Sequence, residues 1–183
     1  MMRGQGHRAR WFGVAGIALA SVIIPAPRTA ADDAVAGEAQ DVAAVKAAFV
    51  YNFAKFTEWP GLASGVPLVV CIAGDNAMAA ALAGTVRGQN IGGHTLDVTS
   101  PQDRDTWQGC QVLFAADSEV GRSGERLDAL KTLPVLTVSD AKGFSEAGGI
   151  IELYLDDGRM RFAINVEAGS ATSRWRASSP SRT

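Results

Sequence analysis

"PLVVCIAG", from Pro67 to Gly74, decides the architecture. Its interior is almost unbroken apolar side chain, rich in β-branched residues, with no alternation of polar and apolar positions. A strand written this way is buried on both faces, as in a parallel sheet covered by helices on either side. The same style returns twice downstream. "QVLFAA" (Gln111 to Ala116) reads as a second buried strand, and "PVLTVSD" supplies a third over Val135 to Val138. Between the first two lies "DNAMAAALAG", a short helix with Asp75 as N-cap and Gly84 as its stop. "GQNIGGHTLDVTS" then gives a Gly-rich turn and a weaker strand around Thr95 to Thr99. Ser118 is a candidate cap for a helix running through "RLDALKT" to Leu133, with Leu127 and Leu130 on its inner face.

The pattern changes after Gly143. "GGIIELYLDDGRMRFAINV" reads as two strands around the turn "DDGR". Ile151, Leu153 and Leu155 alternate with Glu152, Tyr154 and Asp156, and Met160, Phe162 and Ile164 alternate with Arg159, Arg161 and Ala163. Each strand is therefore expected to have one inner and one outer face. Strands alternating with helices predict an α/β fold: a layered single domain with a mostly parallel central sheet, flanking helices and a C-terminal β-hairpin at one edge.

Upstream, Gln40 to Trp59 carries a helical pattern. Val42, Val45, Phe49, Phe53 and Phe56 recur at three- and four-residue steps, and Ala43, Ala47, Val50 and Ala54 widen that face. Pro60 disfavours helical geometry at Trp59 and closes the helix. Five aromatics fall between Val45 and Pro60 in a chain that is only 7% aromatic. Their spacing favours core packing. Tyr51 and Trp59 fall off the stripe, and an indole at a helix end is a common partner anchor.

The N-terminus has the order of a secretory signal peptide: basic Arg3, His7, Arg8 and Arg10, then apolar Trp11 to Ile24, then small residues. Fourteen apolar residues, counted on the sequence, are fewer than the ~20 that span a bilayer. The leader is assigned to residues 1–31, with cleavage after Ala31 or as late as Ala36, and the protein to the periplasm. Residues 40–168 form the domain, and 169–183, rich in Ser, Arg and Thr, read as a solvated tail. Of 17 basic residues, 4 precede Asp32, leaving 13 against 19 acidic ones. That balance excludes a basic footprint for nucleic acid. Two cysteines, Cys71 and Cys110, read as one disulfide in an oxidising compartment or as two separate buried thiols.

Chemistry is sparse. After the leader only His94 remains as histidine, in a Gly-rich turn with no readable nucleophile or orienting acid. No Cys-x-x-Cys, Gly-x-Ser-x-Gly or metal-ligand spacing occurs. "GTVRGQNIGG" lacks the strand, the helix and the Lys-Ser/Thr ending of a phosphate loop. The residues therefore indicate no enzyme, cofactor or metal. A small-molecule-binding module remains as an alternative, using loops after Ala73, Ala116 and Ser139 at the strands' carboxyl ends.

"VKAAFVYNFAKFTEWP", "PLVVCIAGD", "CQVLFAADSE" and "PVLTVSDAKGFSEAGGIIELYLDDGRMRFAINVEA" resemble, in order and spacing, the YfiR-like proteins over about residues 42 to 168. The resemblance implies a periplasmic, non-enzymatic regulator without cofactor. It would bind and repress the periplasmic part of a membrane-bound, YfiN-like diguanylate cyclase, limiting cyclic-di-GMP and biofilm formation. An outer-membrane YfiB-like lipoprotein would sequester it, and it could form a homodimer. Cys71 and Cys110 match the family's cysteine pair that links the central strand regions. A second pair found in some relatives is missing from "GFSEAGGIIE". Lys46, Phe49, Tyr51, Asn52, Phe53, Lys55, Phe56, Trp59 and Pro60 match the helix motif, and Arg161, Phe162, Ile164 and Asn165 the closing motif. These look structural, with Asn52 and Asn165 as hydrogen-bonding pins in the core. Relatives continue into an apolar helix that "GSATSRWRASSPSRT" does not provide, which implies an exposed apolar face and a tendency to associate.

Overall fold

The computed structural model describes residues 30–59, 61–101, 104–120, 135–170 and 176–177. Outside them lie nearly all of the expected leader, Pro60, the helical stretch with Leu127 and Leu130, and most of the tail, including Trp175.

In chain order the elements are α1 (Ala30–Lys55), β1 (Thr57–Glu58), β2 (Leu68–Ala73), α2 (Asn76–Val86), β3 (Asn90–Ile91) and β4 (His94–Thr99). A 3-10 turn over Arg104–Gly109 leads to β5 (Val112–Ala115) and α3 (Asp117–Val120). Then come β6 (Leu136–Ser139), β7 (Ile151–Asp156), β8 (Arg159–Ile164), α4 (Val166–Ser170) and β9 (Arg176–Ala177). Seven strands form one sheet in the order β3-β4-β2-β5-β6-β7-β8, parallel from β4 to β7 and antiparallel at both ends. The mostly parallel α/β sheet with an antiparallel C-terminal hairpin is the architecture expected from the apolar strand runs.

Those runs are apolar throughout because both faces are covered. Leu68, Val70, Ile72, Val112, Phe114, Leu136 and Val138 pack with α1 and α2 in one cluster. Cys71, Ala73, Leu113 and Ala115 pack with Trp107, Cys110, Val120 and Phe144 in another. Both hairpins use tight turns whose two central residues have positive φ. Gly92 and Gly93 (φ 58 and 88) join β3 to β4, and Asp157 and Gly158 (φ 49 and 72) join β7 to β8. This backbone matches the strand twist, and glycine adopts it without steric penalty.

Helix α1 differs from expectation. Its buried ridge is Ala43, Ala47, Val50 and Ala54, while Val45 is 42% and Phe56 63% exposed. At roughly 100° per residue these four positions fall on one line, with Phe49 and Phe53 on its flank and Asn52 roughly opposite. Small residues on the ridge let α1 approach α2 and the sheet closely. The helix ends at Lys55 rather than Trp59. The Thr57 hydroxyl donates to the Phe53 carbonyl (2.6 Å) and Trp59 Nε1 to the Ala54 carbonyl (3.1 Å), so the last turn's orphan acceptors are met by side chains.

Strand β7 also departs from simple alternation. It is buried on both faces at Ile151, Glu152 and Leu153 and exposed from Tyr154 onward, so Leu155, expected inside, is 59% exposed. The β6-to-β7 crossover makes a run of turns where a helix is usual. Buried Phe144 fills the space against Gly149, where a Cβ would collide with its ring. At two positions the tail is not free: Arg176 and Ala177 pair antiparallel with Glu58 and Thr57.

Candidate functional site

Strand order reverses at β2: the chain passes first to β4 on one side, then to β5 on the other. In open α/β sheets the carboxyl ends beside such a reversal are the usual ligand site. Here an aspartate follows each of the three central apolar strands: Asp75 after β2, Asp117 after β5 and Asp140 after β6. Lys46 of α1 enters this place. Its Nζ donates to Asp140 Oδ2 at 2.5 Å and to Asp75 Oδ2 at 3.3 Å, and lies 5.8 Å from the Phe114 ring centroid. The second oxygens are also engaged. Asp75 Oδ1 accepts from the Met78 N–H (2.9 Å), capping α2, and Asp140 Oδ1 from the Asp117 N–H (2.8 Å). Burial works against the Lys46 charge. The hydrogen bond and charge of Asp140, and those of Asp75, outweigh it and hold the amine above the ordinary lysine range. Chemically, this is a closed ion cluster that fixes α1 to two strand ends.

Beside it, Ile72, Ala73, Gly74, Asn76, Ser100, Pro101, Trp107 and Glu119 line a cavity of about 200 Å³. Behind the sheet, Cys71 of β2 is joined to Cys110, just before β5, in a disulfide with Cα atoms 5.9 Å apart. The sequence's two readings of the cysteines are thereby resolved. His94 opens β4 and donates from Nδ1 to the Val66 carbonyl at 2.8 Å.

The two motif blocks meet at the other end of α1. Phe49 and Phe53 both contact Phe162 of β8, with ring centroids 5.9 and 5.2 Å apart in edge-on geometry, and lie 6.0 Å from each other. Phe162 remains 45%, Ile164 51% and Val166 73% exposed, so this corner is only partly covered. Tyr51 and Trp59 pack half-buried against the main core. Lys55 is exposed, and Arg161 donates from Nε to Asp156 at 2.6 Å on the surface. Asn165 ties α4 to the crossover: Nδ2 donates to the Ser145 carbonyl (2.8 Å) and Oδ1 accepts from the Ala168 N–H (3.0 Å). Asn52, expected as a second such pin, is exposed; it lies on the side of α1 opposite the buried ridge.

Two acidic groups escaped the reading of the sequence. Asp140 is marked only by the recurrence of Asp at strand ends. Glu152 was assigned to an outer face by alternation, yet it is buried and accepts from the Gly143 N–H, the Ser145 N–H and the Ser145 hydroxyl at 3.0, 3.1 and 2.9 Å. Burial opposes its ionisation, but these donors and the Lys142 charge prevail and lower its pKa below the ordinary carboxyl value.

Among the described residues no group of three or more His, Cys, Asp or Glu could hold a metal ion, and no helix is long and apolar enough to cross a membrane. No curated protein matches the chain. The family described as YfiR/HmsC-like, a regulatory and non-catalytic one, matches residues 43–173. That span runs from the first buried alanine of α1 through the disulfide, the ion cluster and the Phe162 corner, and the chain belongs to the YfiR/HmsC-like family.

Proposed function

We propose that this protein is a periplasmic, non-catalytic regulator, exported by a leader over residues 1–31. It binds the periplasmic part of a membrane-bound signalling protein, a YfiN-like diguanylate cyclase, and holds it inactive, limiting cyclic-di-GMP and biofilm formation. The observation that carries this reading is the YfiR/HmsC-like match over residues 43–173, nearly the whole described fold. The Cys71–Cys110 bridge supports an oxidising compartment. Restraint of this kind requires tighter binding to the partner's inactive state than to its active one. A YfiB-like lipoprotein would act by competing for the regulator.

Deletion of the gene should raise cyclic-di-GMP and surface attachment. The exported chain should restore both, whereas a chain lacking residues 1–31 should not. Unchanged cyclic-di-GMP after deletion would sink the proposal.

A second reading, a small-molecule-binding module, is favoured by the cavity beside the strand reversal. Its ~200 Å³ lies below the roughly 300–1,000 Å³ of most ligand pockets, so only a small solute would fit. Saturable thermal stabilisation by an amino acid or vitamin, without any protein partner, would support it.

A further inference from the structure

We infer that Glu152 is an acid-operated latch: ionised, it clasps the β6–β7 crossover and, through Asn165, α4 onto the sheet, and protonation releases both while the sheet stays folded. The crossover from Ala141 to Gly149 is a run of turns. Its backbone–backbone bonds join only its own residues: Phe144 N–H to Ala141, Ala147 to Gly143, Gly148 to Ser145 and Gly149 to Phe144. Its polar ties to β7 converge on the Glu152 carboxylate. Oε1 accepts from the Gly143 N–H, and Oε2 from both the Ser145 N–H and its hydroxyl.

This arrangement suits the charged form alone. A proton on either oxygen sets an O–H against at least one of those N–H groups, where Glu152 and Ser145 are each only 9% exposed. A buried donor left without an acceptor carries its full desolvation cost. The effect then passes along the chain of bonds. The Ser145 carbonyl accepts from Asn165 Nδ2, and Asn165 Oδ1 accepts from the Ala168 N–H in the first turn of α4. A displaced Ser145 therefore frees Asn165 and uncaps α4. It also lifts Ala141 and Phe144 from the cluster that encloses the Cys71–Cys110 bridge.

The surrounding charges leave Glu152 as the titrating member. Lys142 of the turn favours its ionised form. In register, β6 and β8 set Ser139 and Ala163 beside it, and neither titrates. Arg161 of β8 is engaged by Asp156, and Asp140, just before the turn, by Lys46. Glu146 is the turn's other acid and Glu167 that of α4. Folding lowers the Glu152 pKa, so the latch is closed above the ordinary 4.5 and loosens as pH falls through the folded value. The central strands β2, β5 and β6 carry no titratable side chain apart from the bridged Cys71, so acid finds nothing to act on within them. The opening is thus local. This inference does not depend on which partner the regulator restrains.

The test is amide hydrogen exchange of the exported chain between neutrality and about pH 3, below the ordinary carboxyl range, corrected for intrinsic exchange. Protection at Gly143, Ser145 and Ala168 should fall at least about tenfold, the low end for hydrogen bonds to a charged group, while the β2 and β5 amides keep theirs. Glu152→Gln should show the lowered protection already at neutral pH, with no further acid step. Turn amides that acid leaves unchanged would overturn the inference. So would equal loss at turn and central strands, or an acid step that persists in Glu152→Gln. The titration of the native chain needs no variant and decides the matter if Glu152→Gln fails to fold.

Discussion

Replacing Lys46 with Met keeps the length and apolar stem of the side chain and removes its charge from between Asp75 and Asp140. The Lys46 side chain is 14% exposed and the two carboxylates 19% and 22%. Removing one member of a buried ion pair typically costs about 3–5 kcal/mol, because the remaining charge loses its partner. Here two carboxylates are orphaned, yet both keep a backbone donor and some water. We therefore expect the low end, about 3 kcal/mol, in equilibrium guanidinium unfolding with an unchanged slope. The double variant Lys46→Met/Asp140→Asn removes one orphaned charge while Asn still accepts from the Asp117 N–H. It should cost less than the sum of the single variants by at least ~1 kcal/mol. The pH dependence has a defined sign. Folding raises the Lys46 pKa, so the cluster's contribution is complete below the ordinary value of 10.5 and declines as pH climbs through the raised folded value. On the alkaline side, the native protein should lose its advantage over Lys46→Met through that window. A single-variant cost under ~1 kcal/mol, or strict additivity in the double variant, would refute the reasoning.

Other consequences can be measured on the same protein. Replacing both Cys71 and Cys110 with Ala opens a loop of sequence separation 39 and should cost about 4 kcal/mol by the chain-entropy relation, seen as a lower denaturation midpoint that reductant no longer changes. Glu152→Gln keeps the shape but lacks the charge that three donors address, so it should cost about 1.5–3 kcal/mol by thermal or chemical unfolding. Folding lowers the Glu152 pKa, so its contribution is present above the ordinary 4.5 and fades as pH falls through the folded value; the variant should show a flatter acid limb. Gly149→Ala would drive a methyl into the Phe144 ring and should cost about 1–3 kcal/mol, with altered near-ultraviolet circular dichroism.

The sheet was legible in the sequence because burial on both faces erases alternation, and the runs at Leu68, Val112 and Leu136 carry that signature. The hairpin was legible because Asp157-Gly158 is a turn chemistry with few other uses. Helix α1 was readable as a helix, but not in its orientation. Two sets of residues share the three- and four-residue spacing, and periodicity cannot say which set faces the sheet. The choice was made by fit: α1 packs beside α2, and only alanines and a valine allow that approach. Glu152 was hidden for another reason. Alternation assigns a face but does not reveal that a turn will fold over it, and the turn from Lys142 to Gly148 supplies the donors that make a buried carboxylate tolerable. Lys46 matched a motif, yet its partners come from segments 29 and 94 residues away, a closeness that only the strand order creates.

These placements divide the molecule into a closed end and an open one. At the carboxyl ends of β2 and β6, where an α/β fold most often receives ligands, Lys46 and two aspartates satisfy one another and join helix to sheet. At β8, the last strand of the sheet among the described residues, the apolar side chains of Phe162 and Ile164 stay about half exposed. Helix α1 connects the two ends, since Lys46 and Phe49 lie one turn apart. A one-residue slip of that helix would turn its side chains by roughly 100°, taking Lys46 from both carboxylates and Phe53 from Phe162 together. A tightly held α1 therefore keeps the apolar corner in a single arrangement. Loosening the ion cluster would therefore disturb the Phe162 corner without touching it, a mechanical link between the two ends of the sheet.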